Sequence, residues 1–106
     1  MIDAEARIQR SRAILQASPD NPLARFGLAT ALEDAGRAAE AAAEYARCLE
    51  LKSDWMAAAI GRGRCLVGVG RGEEAREVLA AARRMAAEQG HSSPLEEIAE
   101  LEARCG

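Results

Sequence analysis

Apolar and small residues recur along this chain at intervals of three and four rather than two, and the pattern restarts at a fixed distance. After Asn21-Pro22, where Asn can cap exposed amides and Pro fits the first helical position, Leu28, Ala29 and Leu32 fall on one helical face. Gly36 is expected to end that helix, because glycine enters the left-handed region without a Cβ penalty. A second helix is predicted over 38–52, with Ala41, Tyr45, Cys48 and Leu49 on one side, and Ser53-Asp54 is expected to stop it and cap the next. The plan then repeats: a helix over 55–69, a turn at Gly70-Arg71-Gly72, and a helix from Glu73 to about Gln89. The paired Glu73-Glu74 suits the positive end of a helix dipole.

Sliding the chain against itself by 34 residues superposes Ala24 on Ala58, Gly27 on Gly61, Leu32 on Leu66, Gly36 on Gly70, Arg37 on Arg71 and Glu40 on Glu74. Phe26 then meets Ile60 and Tyr45 meets Leu79, so apolar residues meet apolar ones. Each period is a helical hairpin with one apolar face that it cannot hide alone, so hairpins must stack. Flanking segments extend the stack. Residues 1–17 form a predicted helix with Ala4, Ile8, Ser11 and Leu15 in line and Ile14 beside them. Ser93-Pro94-Leu95-Glu96 has the form of a capping box opening a last helix over 94–105, with Leu95, Ile98, Leu101 and Cys105 near one face. The expected fold is all-α: a right-handed superhelical stack of antiparallel helix pairs, about six helices in one domain. Its parts are a half repeat at 1–17, repeats at 22–55 and 56–89, and a capping helix at 94–105.

Composition supports this and narrows the chemistry. The apolar half of the chain is alanine- and leucine-rich, with one Phe, one Tyr and one Trp, which disfavours a sheet core. Net charge is −3, with 14 basic and 17 acidic residues interspersed, as on a solvated helical surface. The densest basic run, Arg62 to Arg84, is broken by Glu73, Glu74 and Glu77 and lacks aromatics for base stacking, so no nucleic-acid partner is expected. The longest apolar stretch, Trp55 to Ile60, falls far short of the ~20 residues of a membrane span, so no membrane association is expected. With no secretory-type segment at residues 1–12, a cytoplasmic location is expected. The alanine–arginine bias suggests a bacterial source.

Cys48, Cys65 and Cys105 lie far apart and fit reduced structural thiols better than a disulfide framework or zinc knuckle. His91 stands alone in a turn-like stretch, so no metal site is expected. No histidine pairs recognisably with Ser or Cys, and Gly61-Arg62-Gly63 and Gly68-Val69-Gly70 follow no strand. The chain is read as a non-enzyme without cofactor. The glycines at 61, 63, 68 and 70 each lower intrinsic helix stability by up to ~1 kcal/mol in a helix interior, so the 55–69 helix is expected to be the softest of the repeats.

These residues resemble the tetratricopeptide repeat family. Leu28, Ala29 and Leu32 match the large–small–large pattern of its first helix, Gly36 its inter-helix turn, Ala41 the small crossing residue and Tyr45 the aromatic of its second helix. Gly63, Leu66, Gly70, Ala75 and Ala82 do the same in the next repeat. The chain departs from the pattern at Arg25 and Ala59, where tryptophan is usual, at Ser53 and Ala87, where proline is usual, and at Arg62, where leucine is usual. Arg62 is expected to reach water, to pair with Glu44 or Glu50, or to face a partner.

The resemblance implies that the first helices of successive repeats line a groove for an extended peptide or helix. It would place Leu23, Phe26, Thr30 and Glu33 there from one repeat and Ala57, Ile60, Arg64 and Val67 from the next, in steps of three or four along each helix. Such a groove suits an amphipathic helix or apolar segment of a partner protein, with Arg64 placed to take a carboxylate. The family's carboxylate clamp uses lysine and asparagine; Phe26 and Thr30 stand at the matching places, which disfavours a co-chaperone role. Two alternatives stay open: the protein's own terminal helix covers the groove, or the chain is a self-associating, homodimeric module.

Overall fold

Helix boundaries follow the sequence period. The computed structural model describes residues 3–106, and six helices run through them: α1 (Ala4–Ala17), α2 (Pro22–Asp34), α3 (Ala38–Leu51), α4 (Met56–Gly68), α5 (Gly72–Glu88) and α6 (Pro94–Ala103). α1, α3 and α5 start at Ala4, Ala38 and Gly72, and α2 and α4 at Pro22 and Met56, each step one period. The part of the expected first helix at Met1 and Ile2 lies outside the described residues.

The turns repeat atom for atom. Gly36 and Gly70 take positive φ of 78° and 79°. The next amide turns back in each case, Arg37 N–H to the Leu32 carbonyl and Arg71 N–H to the Leu66 carbonyl, both at 2.9 Å, closing a Schellman motif. Arg37 then reaches Glu40 and Arg71 reaches Glu74, each at 2.6 Å, on the first turn of the following helix. At the amino ends, the Asn21 side chain accepts the Ala24 N–H at 3.0 Å and Asp3 accepts that of Ala6 at 2.8 Å.

Two expected caps are absent. Trp55, not Ser53 or Asp54, precedes α4, and its side chain makes no capping bond. Ser93 has helical backbone angles, φ −61° and ψ −35°, which turn its hydroxyl away from the amides a capping box would satisfy.

Each helix packs on its sequence neighbours, and α6 lies on α5 with one edge against α4. Tyr45, Ile8, Leu32, Leu66, Leu79 and Ile98 are the large side chains at the centre of the core. Small residues bring the backbones together. A Cβ on Gly61 would stand 2.6 Å from Tyr45 Cζ, and one on Gly63 2.5 Å from Leu79 Cδ2. One period earlier, Gly27 faces Ser11 in the same way, so α1 occupies the place of a repeat's second helix. Glycine in α4 is thus a packing requirement at Gly61 and Gly63 rather than only a source of softness.

Arg62 pairs with Glu74 at 3.3 Å, not with Glu44 or Glu50. Those two are engaged elsewhere, Glu44 by Arg25 at 3.1 Å and Glu50 by Arg47 at 3.2 Å. Arg62 sits one period after Leu28, so its stem takes an apolar position while its head reaches the edge of the helix pair.

Candidate functional site

On the face formed by α2, α4 and α6 the side chains enclose an open cavity of about 480 Å³. Phe26 and Thr30 come from α2, and Met56, Ala57, Ile60 and Arg64 from α4. Their spacing of three or four residues points them to this side while Leu28 and Leu66 point into the core. Ser93, Pro94 and Glu97 at the start of α6 form the far wall, and Tyr45 of α3 lies at the floor.

The apolar end is aromatic. Phe26 stacks on Trp55 with ring centroids 4.8 Å apart and meets Tyr45 edge-on at 5.7 Å. Lys52 Nζ lies 6.0 Å from the Trp55 ring, outside the lining of the cavity.

The polar end is a network joining three helices. Arg64 donates from Nη2 to Glu33 Oε1 at 2.9 Å, from Nε to Glu33 Oε2, and from Nη1 to Glu97 Oε2 at 2.9 Å. The Tyr45 hydroxyl donates to Glu33 Oε1 at 2.8 Å. Burial pushes the Glu33 carboxyl up, but the hydrogen bonds from Arg64 and Tyr45 outweigh it and hold the group below the usual carboxylate range. Burial, and then the bond to Glu33, raise the Tyr45 phenol, while the bond to Glu33 raises Arg64. Arg64, expected to take a partner's carboxylate, is held by two carboxylates of the chain itself.

Of the expected groove residues, Phe26, Thr30, Ala57, Ile60 and Arg64 line the cavity. Glu33 joins it through Arg64. Leu23, at the start of α2, is 77% exposed and stands outside the walls, as does the half-buried Val67, which packs against the core. Sequence reasoning missed Met56, Tyr45, Ser93, Pro94 and Glu97. Met56 is one residue before Ala57 and Tyr45 falls on the core face of its helix; the α6 residues lie across the chain from the repeats, where periodicity carries no signal.

A second cavity, about 540 Å³, opens between α1 and α3 over Leu15, Leu28 and Leu32. Those leucines belong to the chain's own core, exposed by 8%, 4% and 1%, and Arg12, Arg25, Glu40 and Glu44 stand around them. One period on, where Arg62 replaces Leu28, the equivalent furrow shrinks to about 160 Å³.

Among the described residues no three His, Cys, Asp or Glu side chains stand close enough to hold a metal ion, and no helix is long and apolar enough to cross a membrane. The cysteines are free thiols, Cys48 and Cys65 buried and Cys105 half-buried.

No protein-family model and no curated protein matches the chain. Solved structures do match. The TPR2B-domain:pHsp70 complex of yeast Sti1 superposes with a TM-score of 0.87 over 96% of this chain and 82% of that one, at 22% identity. The TPR2AB-domain:pHSP90 complex of yeast Sti1 superposes with a TM-score of 0.83 over 92% of this chain and 38% of that one, at 23% identity. The fold is that of a tetratricopeptide repeat domain. Within that fold α1, α3 and α5, and likewise α2 and α4, keep their one-period offset, and α6 follows them.

Proposed function

We propose that the chain is a non-catalytic scaffold that holds a peptide or helix of a partner protein in the groove between α2, α4 and α6. The observation that carries this reading is the cavity itself: Phe26, Met56, Ala57 and Ile60 give it an apolar bed on the repeats' first helices, and α6 bounds it without filling it. The solved neighbours support the same class of role, since both are complexes, one with pHsp70 and one with pHSP90. The partner need not be a chaperone: Phe26 and Thr30 stand where the family's carboxylate clamp carries lysine and asparagine. The self-association alternative has less support. Among the described residues the large apolar side chains left exposed are Ile14, Leu23 and Val69, and the outer side of α1 is mostly polar, with Gln9, Arg10, Arg12 and Gln16.

The test is affinity capture with the wild-type chain beside Ala57→Trp. Ala57 is exposed in the cavity wall, so an indole there blocks the groove without entering the core. Ile60 is unsuitable, because at 7% exposure a charged substitution would unfold the helix pair. Partners lost from a folded Ala57→Trp variant support the groove, and an unchanged partner set moves the site elsewhere. Sedimentation over a wide concentration range separates the dimer reading: a strict monomer removes it.

A further inference from the structure

Among the described residues the two guanidinium groups beside the groove, Arg64 and Arg7, are already matched, and one carboxylate is left over. Arg64 is held by Glu33 and Glu97. Arg7, the other guanidinium on this side, bonds Asp34 at 2.6 Å and lies 3.5 Å from Thr30 Oγ1. Glu33, Asp34 and Glu97 thus face two guanidinium groups. The surplus has an address. Both Glu33 oxygens accept bonds from within the chain, from Tyr45 and Arg64. Glu97 gives one oxygen to Arg64, its side chain is 46% exposed, and its other oxygen has no partner among the described residues. It stands on the far wall, opposite the apolar bed of Phe26, Met56 and Ile60.

We propose that the groove selects an apolar peptide segment carrying lysine or arginine, with Glu97 as the residue that receives the cation, and that it disfavours acidic segments. This rests on reading the groove as the docking site. An incoming carboxylate would have to share Arg64 with Glu33 and Glu97 and would lie beside both of their negative charges. An ammonium or guanidinium group binds the open Glu97 oxygen with no internal bond broken, while the flanking apolar side chains settle on Phe26, Met56 and Ile60.

The experiment is selection of short random displayed peptides on the wild-type chain, with counter-selection on Ala57→Trp so that only groove binders survive. The expected survivors combine Leu, Ile or Phe with Lys or Arg and are depleted in Asp and Glu. Against a synthetic peptide of the commonest surviving sequence, Glu97→Lys weakens binding about tenfold and Glu97→Gln less, with both variants still helical by circular dichroism. Survivors rich in Asp or Glu, survivors indifferent to charge, or an unchanged affinity in Glu97→Lys would overturn the proposal and leave the groove reading standing. A selection that yields no peptide lost on Ala57→Trp would overturn the groove reading, and this proposal with it.

Discussion

Arg64 of α4 grips Glu33 of α2 with two nitrogens across a sequence separation of 31 residues, and the same Glu33 accepts the hydroxyl of Tyr45 from α3. One carboxylate therefore joins both repeats. Arg64→Gln should lower stability by about 1 kcal/mol in urea denaturation, toward the low end for charged hydrogen bonds because the Arg64 side chain is 39% exposed. A double cycle with Glu33→Gln should return most of that loss as coupling. An Arg64→Gln variant of wild-type stability would show that water replaces the pair at no cost.

The same network sets a pH response. Glu33 binds its proton less readily in the folded chain than in the unfolded one. Its contribution to stability is therefore present above the ordinary carboxylate range and is lost as pH falls through the lowered folded value. The thermal midpoint of the wild type should drop below about pH 4, and Glu33→Gln should flatten part of that drop. Parallel acid limbs in the two proteins would count against the assignment.

Two glycines on one helix should respond to alanine with opposite sign. At Gly61 a methyl would meet the buried Tyr45 ring at 2.6 Å, and that ring cannot yield while its hydroxyl is held by Glu33. Gly61→Ala should cost about 1–3 kcal/mol despite the better helix propensity of alanine. At Gly68 nothing lies within 4 Å of the added carbon, so Gly68→Ala should stabilise by about 0.5 kcal/mol. Equal effects at both sites in thermal melts would contradict the close approach of α3 and α4.

Thiol labelling should separate the cysteines. Burial, then the neighbouring charge of Glu44 or Glu33, pushes Cys48 and Cys65 up to about 11, whereas Cys105 is half-buried near the carboxy end with its Sγ 3.4 Å from the Leu101 carbonyl. Iodoacetamide at neutral pH should modify Cys105 first, and the other two on the timescale of unfolding. Peptide mapping that found Cys48 or Cys65 labelled as fast as Cys105 would refute the packing of α3 against α4.

Arg62 offers a substitution toward the repeat pattern. Its pair with Glu74 is partly exposed, and Glu74 keeps Arg71 when Arg62 is removed. Arg62→Leu should be neutral or stabilising by up to about 1 kcal/mol. A loss larger than that would mean the guanidinium does more for the furrow between α3 and α5 than its single ion pair suggests.

Much of this architecture was legible because repetition is a one-dimensional property. Gly36 and Gly70, or Ala41 and Ala75, can be superposed on paper, and the turns they mark follow from local backbone sterics. Phe26, Ala57 and Ile60 were legible for the same reason, since helical spacing sets which way they point. Glu97 was not, because its meeting with Arg64 depends on how α6 settles after the break at residues 90–93, and no period spans that break. The partner of Arg62 was not legible for a related cause: α3 and α5 both carry glutamates, and side-chain geometry chooses Glu74 over Glu44 and Glu50. Ser93 shows the limit of motif reading, as the right letters sit on a backbone whose angles disallow the cap.

Trp55 is the single indole of the chain, and it lies face to face with Phe26, whose other edge meets the cavity. Any guest that tilts the Phe26 ring must disturb the emission of Trp55, so the molecule carries a built-in optical gauge of occupancy. Its sensitivity to a bound guest can be read without attaching a dye.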